Sequence, residues 1–217
     1  MLHNEDRYRD LRYPDVPFQR VLDDKIAHEA YRRRRGEHKS VIHWGQRKLL
    51  LSEIEFLVHC LYGAGASERS VGKPAMLIYA GAAPGTHIRY LAELFPDVMF
   101  RLYDPAPFTV QESRNILTHQ CLFTDELATE LAALANDNDL YFVSDIRAVD
   151  WELVTDQETE VQVQRDMEAQ MRWHEILQPR YSMLKFRLPW HPGQTTYLDG
   201  TIIAPTRLQY RDQTSSH

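Results

Sequence analysis

Short apolar runs alternate with helical patterns through most of this 217-residue chain. Strands are predicted at residues 75–81, 98–104, 140–145 and 181–188, with shorter strands near 196–198 and 201–203. Helices are predicted at residues 45–62, 86–95, 125–135 and 156–177, and in the first of them apolar residues recur at spacings of three and four. Strands that alternate with helices in this way indicate an α/β fold with a mostly parallel sheet and helices on both faces.

The composition fits an ordinary core with an N-terminal addition. The chain is 43% hydrophobic and 26% charged, as in typical soluble domains. Its first forty residues are polar, contain the extended stretch "RYPDVPF", and show a helical pattern at residues 19–35. We therefore divide the chain into an extension, residues 1–40, and a main domain, residues 41–217.

Charge and cysteine content exclude several classes of protein. The net charge of −6 argues against a general nucleic-acid coat and leaves a local basic groove open. The basic run at residues 32–35 fits a solvated helix end, a phosphate-contacting segment or a nuclear-targeting segment. Cys60 and Cys121 lie far apart without a CxxC motif, so we expect neither a disulfide framework nor a metal cluster. Because no apolar run reaches transmembrane length, we expect a cytoplasmic protein that does not bind a membrane.

The residues that end the predicted strands are the first candidates for a functional site. In parallel α/β sheets, ligands bind beyond the carboxyl ends of the strands. The strand ends here are Gly81, Asp104, Asp145 and Lys185.

The loop "GAAPG" at residues 81–85 lies between a predicted strand and a predicted helix. Small residues let a ligand lie against the backbone, and the helix that follows supplies amide hydrogens. Asp104 ends the next strand, where an acid can bind ribose hydroxyls. The loop departs from the GxGxxG pattern, and a tight turn that only packs helix on strand is the alternative. No Lys-Ser or Lys-Thr pair follows Gly85, which disfavours a P-loop.

Three charged residues stand beside this loop in the predicted fold. Lys185 ends an apolar strand, and a lysine there is costly to bury unless it is paired or neutral. Asp145 ends a neighbouring strand, and Lys48 lies in the first predicted helix. Taken singly, these residues fit an edge-strand lysine, a capping or loop acid and a surface lysine. Next to a nucleoside-binding loop, they indicate a Lys–Asp–Lys active site.

Five segments carry a resemblance to a known family: "GQRKLLLSEIEFL", "IYAGAAPGTHIRYL", "FTDE", "VSDIR" and "LKFRLPW". They are spread over residues 45–190, and the chain resembles the poxvirus-type cap-specific mRNA (nucleoside-2′-O-)-methyltransferases, the poly(A) polymerase stimulatory subunit family. The resemblance implies a class I S-adenosylmethionine-dependent, Rossmann-like fold. It also implies methyl transfer to the ribose 2′-hydroxyl of the first transcribed nucleotide, with S-adenosylhomocysteine as product. Residues 1–40 would then pack on the core or on RNA.

The same resemblance implies partners, a location and an origin. Capped mRNA would be the substrate, and a poly(A) polymerase or another RNA-processing subunit would be the protein partner. Neither DNA nor a membrane is expected as a partner. The family match suggests a viral protein of the cytoplasm, a viral factory or the virion.

The resemblance also assigns site residues by position. The donor site would be lined by Gln46, Leu49, Tyr79, Gly81, Ala83, Pro84, Gly85, His87, Asp104, Thr124, Asp145 and Arg147, with Asp104 on the ribose and Thr124 near the adenine. Lys48, Asp145 and Lys185 match three members of a Lys–Asp–Lys–Glu catalytic tetrad. Trp190 would stack on the methylated guanine of the cap, with Tyr13 as the other side of the sandwich. A cationic 7-methylguanine stacks well on a tryptophan face. The alternative for Trp190 is a partly buried loop aromatic.

Methyl transfer needs Lys185 to take or polarise the hydroxyl proton, which requires a lowered pKa. Desolvation and the neighbouring Lys48 would lower the pKa of Lys185, whereas Asp145 would oppose the shift and orient the amine.

The fourth tetrad member is missing, because Pro205 or Thr206 stands where the family has glutamate. Either the glutamate is dispensable, or Asp199 replaces it, or the chain no longer methylates. Three hypotheses therefore stay open: an active cap methyltransferase, a non-catalytic subunit that binds RNA or a partner, and a methyltransferase for another RNA such as rRNA or tRNA.

Overall fold

The computed structural model of the protein describes residues 21–22, 44–63, 66–67, 69–70, 72–147, 156–187 and 195–203. The chain divides into two compact units, one formed by Glu29–Gly200 and the other by Met1–His28 with Thr201–His217. The expected domain boundary at residue 40 lies outside the described residues and stays a prediction.

The elements follow one another in the order β1 Val21–Leu22, α1 Trp44–Tyr62, β2 Ala75–Ala80, α2 Ile88–Leu94, β3 Val98–Tyr103, β4 Ile116–His119, α3 Asp125–Ala132, β5 Asp139–Ser144, α4 Asp156–Leu177, β6 Tyr181–Leu184 and β7 Ile202–Ile203. In the larger unit, five parallel strands form a sheet in the order β4-β3-β2-β5-β6. The described strands of the smaller unit are β1 and β7, which pair antiparallel. The larger unit is thus an α/β, Rossmann-like fold, as predicted.

Both faces of the five-stranded sheet are covered by helices. Alternate residues of a strand point to opposite faces. In β2, Leu77 and Tyr79 pack in a core with α1 and α2, whereas Met76 and Ile78 pack in a core with α3 and α4. Strands β2 and β5 are buried along their whole length, as strands covered on both faces must be. The prediction of helices on both faces is confirmed.

Several element boundaries differ from the prediction. The helix expected at residues 156–177 has these bounds, whereas the strand expected at 181–188 ends at Leu184, level with the end of its neighbour β5. Strand β4 was not predicted, because its sequence "ILTH" is short and half polar. None of the helices within the described residues combines the length and apolar character needed to cross a membrane.

Two predictions near the chain ends were wrong. Residues 196–198 do not form a strand. A strand requires a ladder partner, and the described pairing in this region begins at Ile202, opposite Leu22. Val21 and Leu22 themselves form β1 inside the segment that was predicted as a helix at residues 19–35. Here pairing with β7 overrides a weak local helical pattern; the rest of that segment lies outside the described residues.

Candidate active site

The predicted strand ends meet at the carboxyl edge of the five-stranded sheet. Ala80, the last residue of β2, lies opposite Tyr103 of β3 on one side and Ser144 of β5 on the other. Ser144 in turn lies opposite Leu184 of β6. The residues that follow these four positions stand side by side in the order Asp104, Gly81, Asp145 and Lys185.

Backbone hydrogen bonds extend the ladder across this row. Gly81 N donates to Tyr103 O at 2.8 Å, Asp145 N donates to the end of β2 at 3.0 Å, and Lys185 N donates to the end of β5 at 3.1 Å. The sheet therefore fixes the backbone under each candidate residue, so that their relative placement follows from register.

Lys185 and Asp145 form an ion pair at this edge. Lys185 Nζ donates a hydrogen bond to Asp145 Oδ1, and 30% and 31% of the two side chains are exposed. Burial lowers the pKa of Lys185 below its ordinary value; Asp145 opposes this shift, Arg147 adds to it, and Asp166 opposes it. Because burial is the largest influence, Lys185 releases its proton more readily than an exposed lysine. Such an amine can act as a general base.

The two glycines of the loop at residues 81–85 accommodate other parts of the chain. Gly81 has φ +81°, and a Cβ on it would lie 2.8 Å from Ile146 N and 2.9 Å from Asp145 C. Gly85 has φ +71°, and its Cβ would lie 2.8 Å from Val110 Cγ1. Both positions therefore favour glycine for their backbone conformation, and Gly81 also requires it because the atoms next to it belong to the backbone. These contacts are with the segment after β5 and with Val110, so the alternative of a turn that only packs helix on strand and the contact of these glycines with a donor both stay predictions.

The carboxylate of Asp104 holds the same loop through backbone amides. Asp104 Oδ2 accepts from Ala83 N at 3.0 Å, and Asp104 Oδ1 accepts from Ala106 N at 2.8 Å. The carbonyl oxygen of Pro84 accepts from both N and Oγ1 of Thr109 at 2.9 Å. A carboxylate oxygen has capacity for more than one hydrogen bond, so these contacts leave room for ribose hydroxyls on Asp104.

Sequence reasoning missed a buried acid beneath the loop. Glu53 in α1 is 1% exposed, and its Oε1 accepts from Tyr79 Oη at 2.7 Å and lies 3.0 Å from His87 Nε2. Burial, followed by the charge of Glu53, raises the pKa of Tyr79 well above its ordinary range. A signal was available, because Glu53 shares the buried face of α1 with Leu57 and Cys60, at helical spacing.

The cluster of Glu53, Tyr79 and His87 includes two residues that were predicted to contact the donor. Tyr79 is fully buried with its hydroxyl on Glu53, and the His87 side chain is 10% exposed. In the structure, both side chains join α1 to the ends of the loop. Their contact with a donor stays a prediction.

Lys48 lies in α1, one helical turn before Ser52, whose Oγ donates to the Lys48 carbonyl oxygen at 3.1 Å. Within the described residues, no hydrogen bond or ion pair joins Lys48 to Asp145 or Lys185. The expectation that Lys48 lowers the pKa of Lys185 was wrong, since the positive group that does so is Arg147. The catalytic role of Lys48 stays a prediction.

The remaining candidates are a capping residue, a half-buried residue and two exposed residues, or lie outside the described residues. Thr124 caps α3, where its Oγ1 accepts from Leu127 N at 3.2 Å. Leu49 is half-buried in α1, while Arg147 and Asp199 are exposed. The side chain of Gln46 and the whole of Trp190, Tyr13, Pro205 and Thr206 lie outside the described residues.

The fold and the site together define a class of protein: a Rossmann-like α/β protein with a Lys–Asp pair at the carboxyl edge of its parallel sheet. A family model described as "Poly A polymerase regulatory subunit" matches residues 14–196, which is most of the chain. The protein belongs to this family, and the resemblance drawn from its motifs is confirmed. A search of curated proteins gave no match.

Two solved structures share weak similarity with the chain. Bluetongue virus VP4, described as a multifunctional RNA-capping production line, is 14% identical with a TM-score of 0.35, over 55% of this chain and 18% of VP4. UDP-glucose 4-epimerase from Thermotoga maritima is 13% identical with a TM-score of 0.29, over 47% of this chain and 32% of the epimerase. The chain therefore spans a small part of either protein, and similarity at this level indicates neither a shared substrate nor a shared activity.

Proposed function

We propose that the protein transfers the methyl group of S-adenosylmethionine to the ribose 2′-hydroxyl of the first transcribed nucleotide of capped mRNA. The observation that carries this proposal is the pair of Lys185 and Asp145, which lies next to Gly81 at the edge where such sheets bind ligands. A half-buried lysine with a lowered pKa is suited to accept a proton from a hydroxyl group.

The residues at this edge fit S-adenosylmethionine. Asp104 stands one strand away from Gly81, where its carboxylate can bind ribose hydroxyls, and it already fixes the loop through Ala83 N. Asp145 and Arg147 bring opposite charges to the other side of Gly81, and such charges would suit the charged amino-acid end of the donor. When bound, S-adenosylmethionine supplies a methyl group that its positive sulfur already activates for transfer.

The chain's own residues then have two tasks. Lys185 Nζ, in its neutral form, accepts the proton of the 2′-hydroxyl as that oxygen takes the methyl group. Asp145 accepts a hydrogen bond from Lys185 Nζ, which orients the amine and stabilises the charge it gains. Because the methyl group needs no further activation, the other task of the chain is to hold the reacting groups in line.

The choice of a capped substrate and of a protein partner is supported by the family. The "GQRKLLL", "APGTHIRYL" and "LKFRLPW" segments resemble those of cap 2′-O-methyltransferases, and the family description names a poly A polymerase regulatory subunit. We therefore propose capped mRNA as the substrate and a poly(A) polymerase as the partner, with Trp190 and Tyr13 as cap contacts.

The test is methyl transfer from radiolabelled S-adenosylmethionine to short RNAs that differ only at the 5′ end. One RNA carries a 7-methylguanosine cap, one is uncapped, and one is capped and already 2′-O-methylated at its first nucleotide. We expect label only on the capped, unmethylated RNA. Equal labelling of the uncapped RNA would point to another RNA target. No label from protein that binds the donor would favour a non-catalytic subunit.

A further inference from the structure

The side chain of Gln170 forms two hydrogen bonds with the backbone of Lys185. Gln170 Nε2 donates to Lys185 O at 3.1 Å, and Lys185 N donates to Gln170 Oε1 at 3.1 Å. The amide group of Gln170 therefore meets both backbone polar groups of one residue, in the way that a neighbouring strand would.

This contact lies where the pairing of strand β6 with strand β5 ends. Strand β6 is an edge strand that ends at Leu184, and Lys185 follows it directly. Lys185 N donates to Ser144 O at 3.1 Å, which continues the ladder with β5 by one bond. Gln170 holds the same N–H and also the carbonyl group of Lys185, and so extends the support from the side of α4.

Gln170 stands on the buried face of α4, between apolar residues. Met167, Trp173 and Leu177 are 3%, 6% and 1% exposed, and Gln170, at helical spacing among them, is 1% exposed. Burial of an amide costs free energy unless its donor and acceptor are both bonded. A residue needed only for packing would be apolar here, so the polar side chain points to a task at Lys185.

We propose that Gln170 is a positioning residue that holds the backbone of Lys185 and so places its amine against Asp145 and the 2′-hydroxyl of the substrate. The catalytic part of this inference rests on the proposed function. The contact between Gln170 and Lys185 is independent of that function. The charged groups that act on the Lys185 amine are Asp145, Arg147 and Asp166. Gln170 is uncharged, so it acts through position and through exclusion of water.

The primary test is Gln170→Met, which keeps the length of the side chain and removes both hydrogen bonds. The matched control is Gln164→Met, because Gln164 is exposed on the same helix and donates to Glu168 at 3.0 Å. We expect kcat to fall about 10- to 100-fold in Gln170→Met with KM for either substrate within about threefold, since a displacement near 1 Å can cost that much. The control should match the wild type.

The second readout is the pKa of Lys185, followed by NMR of its labelled Cε and Nζ. Loss of both hydrogen bonds should release the backbone of Lys185 and let its amine move towards solvent, which raises this pKa towards that of an exposed lysine, and the pH at which activity rises should move with it. A purely structural role would lower thermal stability and leave the pKa of Lys185 unchanged. A wild-type kcat and an unchanged pKa in folded Gln170→Met would overturn the proposal.

A second variant covers the case in which Gln170→Met does not fold. Gln170→Glu keeps the size and the acceptor for Lys185 N but loses the donor to Lys185 O and adds a charge, so we expect a larger rise in the pKa of Lys185. If neither variant folds, Gln170 is a determinant of folding and the proposal fails. If the wild type methylates no RNA, the proposed function fails, while the pKa of Lys185 still decides whether Gln170 positions it.

Discussion

Asp139 and Arg180 form an ion pair at the amino edge of the sheet, with 2.6 Å between Arg180 Nε and Asp139 Oδ1. Asp139 begins strand β5, and Asp145 follows the end of the same strand. Asp139 is 2% exposed, and its Oδ2 also accepts from Ser70 N at 3.0 Å. One end of β5 thus carries a buried structural acid, whereas the other carries the partly exposed acid of the candidate active site.

This contrast predicts a large effect on stability from Arg180→Ala. Removal of one partner of a buried ion pair typically costs 3–5 kcal/mol, and the partial exposure of Arg180 reduces our expectation to about 2–3 kcal/mol. The control is Arg172→Ala, which breaks an exposed pair with Asp125 and should cost less than about 1 kcal/mol. Urea denaturation measures both values. Equal losses in the two variants would contradict the prediction.

Alanine substitutions at three glycines can separate the effect of steric overlap on stability from the effect of backbone conformation. At Gly81, φ is +81° and an added Cβ would lie 2.8 Å from the backbone of Ile146; at Gly72, φ is +83° and an added Cβ would have nothing within 4 Å; Gly200 has the same open space without a positive φ. We expect Gly200→Ala to change the free energy of unfolding by less than about 0.5 kcal/mol. Gly72→Ala should cost about 1 kcal/mol.

Gly81→Ala should cost the most, above about 2 kcal/mol, because strain and overlap act together. It should also weaken donor binding, since its neighbours are the backbone atoms beside Asp145. Thermal or urea unfolding of the three variants checks the order. If Gly81→Ala were as stable as Gly200→Ala, the close approach to Ile146 would not be real.

Asp104→Asn should weaken donor binding. Both oxygens of Asp104 accept backbone N–H groups, and asparagine would turn an N–H₂ donor towards one of them. We expect the Kd for S-adenosylmethionine to rise at least about tenfold, as for loss of a charged hydrogen bond of about 1.5 kcal/mol or more. Titration calorimetry measures it, with the exposed Asp97→Asn as control. Unchanged affinity in Asp104→Asn would remove this residue from the donor site.

Asp145→Asn should move the pH dependence of methyl transfer to lower pH. In the proposed mechanism, activity requires the neutral amine of Lys185, so the rate should rise as the pH passes the pKa of Lys185. Asp145 raises that pKa against the effect of burial, and its neutralisation therefore lowers the pKa and shifts the rise in activity downward. The maximal rate should fall as well, because the amine loses its charged partner.

Asp166→Asn should shift the profile in the same direction by less, since Asp166 has the smallest effect on the pKa of Lys185. Profiles of single-turnover rate against pH would reveal both shifts. A shift of the Asp145→Asn profile to higher pH would show that Lys185 is not the group whose proton limits the reaction.

The placement of the site could be predicted from the sequence because it depends on strand ends. Runs of apolar residues fix where parallel strands stop, and parallel register then brings Gly81, Asp145 and Lys185 to one edge. The same apolar patterns also predicted the helices and most of the strands of the larger unit. They did not predict strand β4, since a four-residue edge strand with polar residues has no distinctive pattern.

The residues that hold the site in place could not be predicted from the spacing of residues in the sequence. Glu53 and Gln170 are polar residues on buried helix faces, and their partners lie 26 and 15 residues away in the chain. Only the tertiary fold brings Glu53 to Tyr79 and Gln170 to Lys185. The sequence could flag them as polar residues at apolar positions, without telling what they bind.

Lys185 is proposed here as the base of an RNA methyltransferase. The most direct measurement is the single-turnover rate of methyl transfer to capped RNA by wild type, Lys185→Met and Lys73→Met. Lys73 is the matched control, because its Nζ donates to Ala135 O at 2.8 Å and it lies before β2, at the opposite edge of the sheet. We predict that Lys185→Met slows transfer about 10²- to 10⁴-fold while donor binding persists, and that Lys73→Met does not. A folded Lys185→Met protein that transfers methyl groups at the wild-type rate would contradict the claim.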